Sequence, residues 1–285
     1  MKLKISKIIG LFAIIIMSSC QEDIATQITN VNDYNNYLSA SHQEALALTE
    51  TKLAFWTKKL ETSPNQFPFL SKIAGAHTEK FMMSGDIGSL KDSETTLLKL
   101  NKITKFTNAS YLRALARNYI SQHKFKEALE ALLKAETNGA HLKATHSMLF
   151  DVHLELGNTQ KAVYYLDEIK DFNSFDYLIR LSKYNDHQGD LQSAIRYLEK
   201  ALVIAEASNL DATKQWTYTN LADYYGHAGK IKQSYQYYLK ALAIDENDAY
   251  AKKGIAWIIY SYEQNPKEAL RILNTVMQYL SLIHI

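Results

Sequence analysis

The chain has 285 residues, of which 47% are hydrophobic, with only 3 prolines and 10 glycines. That composition suits a folded, helix-rich protein and excludes a long disordered one. Basic and acidic residues nearly balance at a formal charge of +2, and Lys2, Lys4 and Lys7 belong to a leader, so no basic excess remains for a nucleic acid or other polyanion.

Residues 1–19 read as a secretory leader. Three lysines precede a short apolar run, Ile8 to Met17, which is too short to cross a bilayer as a helix, and Ser18-Ser19-Cys20 follows. Met17-Ser18-Ser19-Cys20 resembles the bacterial lipobox, usually Leu-(Ala/Ser)-(Gly/Ala)-Cys, with Met17 as the departure. The resemblance implies cleavage before Cys20, lipidation of its thiol and anchoring to a membrane of the bacterial cell envelope. Cys20 is the only cysteine, so it has no partner for an internal disulfide. Residues 20–35 are expected to form a flexible tether. Its acidic start, Gln21-Glu22-Asp23, resembles the surface-export signal of some Gram-negative lineages, which would place the protein on the outer membrane, facing either the periplasm or the outside.

Residues 36–108 read as a helical cap and a degenerate first repeat. A helix from Tyr37 to Leu60 carries Leu46, Leu53, Trp56 and Leu60 on one face and ends at Ser63-Pro64 and Pro68. Phe69 to Met83, the turn Gly85-Asp86-Ile87-Gly88, and Leu90 to Leu100 make a helical pair, with His77 and Thr78 where the later units carry Leu and a small residue.

The array proper spans 109–279, in units 109–142, 143–174, 175–214, 215–248 and 249–279. Its clearest unit is Gln215 to Asp248, QWTYTNLADYYGHAGKIKQSYQYYLKALAIDEND. Tyr218, Leu221, Ala222 and Tyr225 lie on one helical face, Gly229 marks a turn, and Ser234, Tyr238 and Ala241 lie on the facing helix. The frame recurs at Leu112, Leu115, Ala116, Tyr119, Ala128, Leu132 and Ala135. It recurs again at Leu149, Gly157, Ala162, Leu166 and Ile169, and at Leu178, Leu181, Ser182, Gly189, Ala194, Leu198 and Ala201. The small residue opening each second helix falls at Ala128, Ala162, Ala194, Ser234 and Ala269, at spacings of 34, 32, 40 and 35. Phe150 stands where a small residue is expected and His146 where an aromatic is expected.

The Gln215–Asp248 unit resembles the tetratricopeptide repeat (TPR), a helix–turn–helix with the pattern W-x2-L-G-x2-Y…A-x3-F…P. Leu221 and Tyr225 match it; Tyr218, Ala222, Ser234, Tyr238 and Glu246 substitute at the remaining positions. The resemblance implies an all-α fold, an α-α superhelix in which stacked helical pairs form a solenoid. The last six residues, Leu280 to Ile285, are the hexapeptide that a transposase mosaic-end sequencing adapter encodes in frame, so the natural part of this sequence is expected to end near Tyr279 and the gene to continue past it. Arrays of this kind need a polar capping element at each end, and none is visible after the last repeat.

No catalytic pattern is present: no His-Glu-x-x-His, no Gly-x-Ser-x-Gly and no phosphate loop. The chain is therefore expected to be no enzyme and to need no cofactor or metal; His146 and His153 share a helical face without further ligands. In TPR proteins the first helix of each pair lines the concave face. The resemblance maps that groove onto Arg113, Arg117, Asp151, Lys183, Asp186, His187, Trp216, Asp223, His227, Tyr250, Lys253 and Trp257. Arg113 and Arg117, four apart, would pair a carboxylate, and Trp216, Tyr250 and Trp257 would serve as aromatic anchors. Chaperone-tail binding is disfavoured, because Arg117 and Met148 fill the expected Asn positions. The expected function is a lipid-anchored scaffold that binds a protein or peptide within an envelope assembly or transport complex. The alternative is the N-terminal recognition arm of a longer enzyme or transporter component.

Overall fold

The computed structural model describes residues 27–276. The leader, Cys20, the start of the expected tether and residues 277–285 lie outside the described residues. Among the described residues there are thirteen helices of ten residues or more and no strand, so the expected all-α solenoid is the fold observed. The helices are α1 (Gln43–Thr62), α2 (Phe69–Ser84), α3 (Ile87–Ile103), α4 (Ala109–Ser121), α5 (Phe125–Thr137), α6 (Leu142–Glu155) and α7 (Thr159–Glu168). They continue as α8 (Phe175–His187), α9 (Leu191–Ala207), α10 (Asp211–His227), α11 (Ile231–Ile244), α12 (Ala249–Ser261) and α13 (Pro266–Val276). Six antiparallel pairs run from α2/α3 to α12/α13; the second helix of each pair packs on the first helix of the next, and α1 packs on α2.

The repeating small residue explains the pairing. Ala128, Ala162, Ala194 and Ser234 are fully buried and Ala269 is 2% exposed, which lets the two helix backbones of each pair approach. Beside them Leu112, Leu132, Leu149, Leu198 and Leu221 are almost wholly removed from water, each stabilising the fold by about 1.5–3 kcal/mol. Phe150 is also fully buried, in a cluster with Ala128, Ala131 and Ala135; the alanine-rich face of α5 leaves space for the large ring. His146 fills its aromatic position by lying tilted against Tyr165, ring centres 5.3 Å apart, and placing Nε2 3.2 Å from Glu136.

The turns follow from backbone geometry. After α6, α8 and α10 a left-handed residue is required, and Gly157, Gly189 and Gly229 supply it with φ of 73°, 80° and 72°. The amide of the next residue then donates back into the helix, as from Asn158 to His153 O at 2.8 Å and from Lys230 to Tyr225 O at 2.8 Å. The equivalent turns after α4 and α12 use His123 and Gln264, at φ of 55° and 52°. Entry into α3, α4 and α12 is capped by Asp86, Asn108 and Asp248, whose side chains accept from amides in the first turn.

Three expectations change. Residues 27–35, read as part of a tether, are packed: Tyr34 is 2% exposed and the segment sits against α11 and α13. Local composition there is polar, but the few apolar residues find a partner far along the chain. The helix expected from Tyr37 begins at Gln43, because residues 35–39 form a 3-10 turn on the last pair and the chain must then cross to α2. The same segment covers apolar residues of the last two pairs, where no capping element was visible in the sequence. Finally, α10 starts at Asp211, so only residues 208–210 separate it from α9, with Asn209 left-handed at φ 55°.

Candidate functional site

The segment before α1 lies on the last two pairs while α1 itself lies on the first, so the solenoid's two ends face each other. Between them is a cavity of about 1080 Å³. One wall comes from α2 and α4, including Ala74, Thr78, Glu79, Met82 and Arg117; the other comes from α10, the loop 245–248 and the start of α12. His42 stands where the chain passes from one end to the other.

Four of the twelve residues mapped to the groove reach this cavity: Arg117, Trp216, Asp223 and Tyr250. Arg117 is exposed and, among the described residues, has no hydrogen bond or ion pair. Its guanidinium is therefore available to an incoming carboxylate. Trp216 is 41% exposed and is braced edge-on by Phe175 at 6.1 Å. Tyr250 is half-buried, with Lys253 Nζ 4.9 Å from its ring centre; burial raises its pKa, so it is neutral and hydrogen-bond competent at neutral pH. Asp223 accepts from the Tyr238 hydroxyl. Burial pushes the Asp223 carboxyl above its ordinary value, against the Tyr238 bond and nearby Lys253.

The expected Arg113–Arg117 fork does not form. Arg113 Nη1 donates to Ala140 O at 3.0 Å and to Thr145 Oγ1 at 3.1 Å, and Nη2 donates to Ser110 Oγ at 3.1 Å. It locks α4 to the following pair, and burial with the Arg117 charge lowers its pKa. Trp257 lies outside the cavity lining: it is 39% exposed, but a Cβ on Gly226 would lie 3.2 Å from its ring, so one side packs against α10, and it meets Tyr262 edge-on at 5.4 Å. Asp151 is occupied by Arg180 Nη2 at 2.7 Å and Lys183 by Glu155 at 2.7 Å. Asp186, His187 and His227 are exposed outside the cavity.

Two organising residues were missed. Asp248 is 5% exposed and ties the far wall together: its carboxylate caps α12 through the amides of Tyr250 at 2.9 Å and Ala251 at 3.0 Å. It also accepts from Thr219 Oγ1 at 2.9 Å and from Gln215 on α10. An aspartate directly before the apolar run of α12 was the visible signal. Arg180 joins three neighbours, Asp151, Asp176 and the Ser147 carbonyl at 2.9 Å. Burial opposes its charge, but the two carboxylates outweigh that and hold its pKa above the usual. Its spacing to Asp176, four residues back on the same helix, was the visible signal, but Asp151 and Ser147 belong to α6 and no motif joins them to it. Among the described residues no cluster of three or more His, Cys, Asp or Glu is placed to hold a metal, and no helix is long and apolar enough to cross a membrane.

Residues 217–248 match the family model described as tetratricopeptide repeat. No curated protein matches the chain in sequence. Among solved structures it is similar to the APC/C hetero-tetramer Cut9–Hcn1, with TM-score 0.62 and 15% identity over 81% of this chain and 44% of that one. Yeast Tom70 superposes with TM-score 0.56 and 11% identity, over 93% of this chain and 63% of Tom70. A monomeric mutant of IFIT1 with m7Gppp-AAAA gives TM-score 0.56 and 13% identity, over 85% and 58%. The chain thus spans less than two thirds of the length of each of these relatives. The likeness establishes the fold, a TPR-like helical-repeat scaffold.

Proposed function

We propose that this chain is a scaffold that takes an extended segment of a protein partner into the cavity between the two ends of its solenoid. The observation that carries the reading is the unpaired Arg117 guanidinium in the same cavity as the rigid rings of Trp216 and Tyr250. A charge-pairing group beside aromatic anchors suits a peptide that offers a carboxylate next to an apolar side chain. A polyanion fits poorly, because Glu79, Asp223, Asp245 and Asp248 also line the walls and the whole chain carries only +2. Lipidation of Cys20 would hold this scaffold at a membrane of the cell envelope, where it would serve an assembly or transport complex.

Two measurements test the two parts. A photoreactive residue at Ser121, on the cavity wall, should crosslink a defined envelope protein in cells, and Arg117→Glu or Trp216→Ala should cut that yield at least tenfold. An undiminished yield in both variants rules out cavity binding. Separately, the full chain should partition into the detergent phase and the Cys20→Ser form into the aqueous phase; equal partitioning removes the lipid anchor.

A further inference from the structure

In an ordinary helical array each repeat touches only its neighbours, and the ends are independent. Here residues 28–38 break that rule. The amides of Ile28 and Thr29 donate to Glu263 Oε1 at 2.6 and 2.5 Å, and Thr29 Oγ1 donates to Oε2 at 3.1 Å. The Asn30 amide donates to the Tyr235 hydroxyl at 3.1 Å, which itself donates to the Asp33 carboxylate at 3.1 Å. The Tyr34 hydroxyl donates to Glu268 Oε1 at 2.9 Å, and Glu268 is steadied by Arg271. These bonds join residues 202 to 235 positions apart. The Tyr34 ring is buried in the cluster that contains Ile255, Ile258, Ile259 and Ile272.

The far end of this strap is no less fixed. Only residues 40–42 separate the 3-10 turn from α1, and α1 packs along α2. A strap docked on α11 and α13 therefore holds α2 at a set distance from α10 and α12, and those are the walls of the cavity.

We infer that residues 28–38 are a latch: docked on the last two helical pairs through Glu263, Tyr235 and Glu268, they close the solenoid end to end, and their release opens the cavity. The polar contacts are few and centre on one carboxylate, Glu263, which accepts three bonds from two residues. Such a joint can open locally while the six helical pairs stay folded. The closure does not depend on any ligand, so it can be tested apart from the binding reading.

The test uses the full chain with Glu263→Gln, and the milder Tyr34→Phe should the first fold poorly, both checked for unchanged helicity by circular dichroism. Hydrogen exchange of amides 28–38 should quicken on the order of tenfold or more, since charge-assisted bonds are lost. Exchange in α4–α9 should not change. Solution X-ray scattering of the same samples should show a larger radius of gyration as the ends part. Faster exchange in the strap with an unchanged scattering curve would reduce the strap to a local cover and overturn the latch. Unchanged exchange in both variants would overturn it as well.

Discussion

The packing between α11 and α12 makes a sharp test at Gly254. A methyl group there would lie 2.1 Å from Cζ of Tyr238 and 2.4 and 2.5 Å from its two Cε atoms. Carbon atoms rest at about 3.5–4.0 Å, so Gly254→Ala must displace the ring by more than about 1 Å. The ring has no easy exit, because Tyr238 is 3% exposed and its hydroxyl is bound to Asp223. If it swings aside, a hydrogen bond to a charged group worth about 1.5–3 kcal/mol is lost. If the two helices separate instead, overpacking costs about 1–3 kcal/mol. Alanine's better helix propensity returns about 0.5–1 kcal/mol. The net expectation is a loss of about 0.5–2.5 kcal/mol by the first route, and no more than about that by the second, in urea unfolding followed by far-UV circular dichroism. Gly75 is the control: it is exposed within α2 with nothing near its missing Cβ, so Gly75→Ala should gain about 0.5–1 kcal/mol. Tyr238→Leu should cost less in the Gly254→Ala background than in the wild type, since the clash is already relieved. A Gly254→Ala protein as stable as the wild type would show that Tyr238 relaxes freely, and the reasoning would fail.

Gln264 holds the left-handed turn residue after α12 without a glycine's freedom, so Gln264→Gly should raise the unfolding free energy by about 0.5–1 kcal/mol. Arg180→Ala removes the cation shared by Asp151 and Asp176 across two repeats; with the arginine side chain 12% exposed, a loss of about 1–3 kcal/mol is expected in the same assay. His77 Nδ1 is buried without a hydrogen bond, 3.9 Å from Asp92 Oδ2, and burial lowers the His77 pKa below the ordinary 6.5 although Asp92 opposes this. Because the unfolded chain takes up this proton first, the stabilising contribution is complete above 6.5 and is lost as pH falls through the folded value. His77→Leu should therefore raise the urea midpoint, and its advantage should be larger at pH 5.5 than at 7.5; an advantage that shrinks on acidification would refute the sign.

What was legible in the sequence was local. The buried small residues Ala128, Ala162, Ala194, Ser234 and Ala269, and the glycine turns, recur because each helical pair repeats one packing problem. A single repeat resolves that problem, so one sequence frame exposes it. The groove was read less well for the same reason. Arg113 and Trp257 sit in the frame's groove register, yet each is drawn to a neighbouring pair by a partner that the frame does not encode: Ala140 and Thr145 for one, Gly226 for the other. Arg117, Trp216, Asp223 and Tyr250 were identifiable one by one, but nothing in their spacing says that α4 and α10 face each other across one cavity.

That juxtaposition depends on a contact with no periodicity, the strap. Bonds between Thr29 and Glu263 span 234 residues, and the polar sequence around Tyr34 gives no helical or strand pattern to flag it. The energetic consequence runs in both directions. A ligand that touches both walls binds the closed form better than the open one, so its apparent affinity rises in proportion to the fraction of molecules whose strap is docked. By the same linkage, occupancy of the cavity must strengthen strap docking by an equal free energy. A partner recognised at Arg117 and Trp216 would accordingly be felt at Glu263, outside the cavity lining, and slower exchange of amides 28–38 on adding that partner would report the coupling without any change in the site itself.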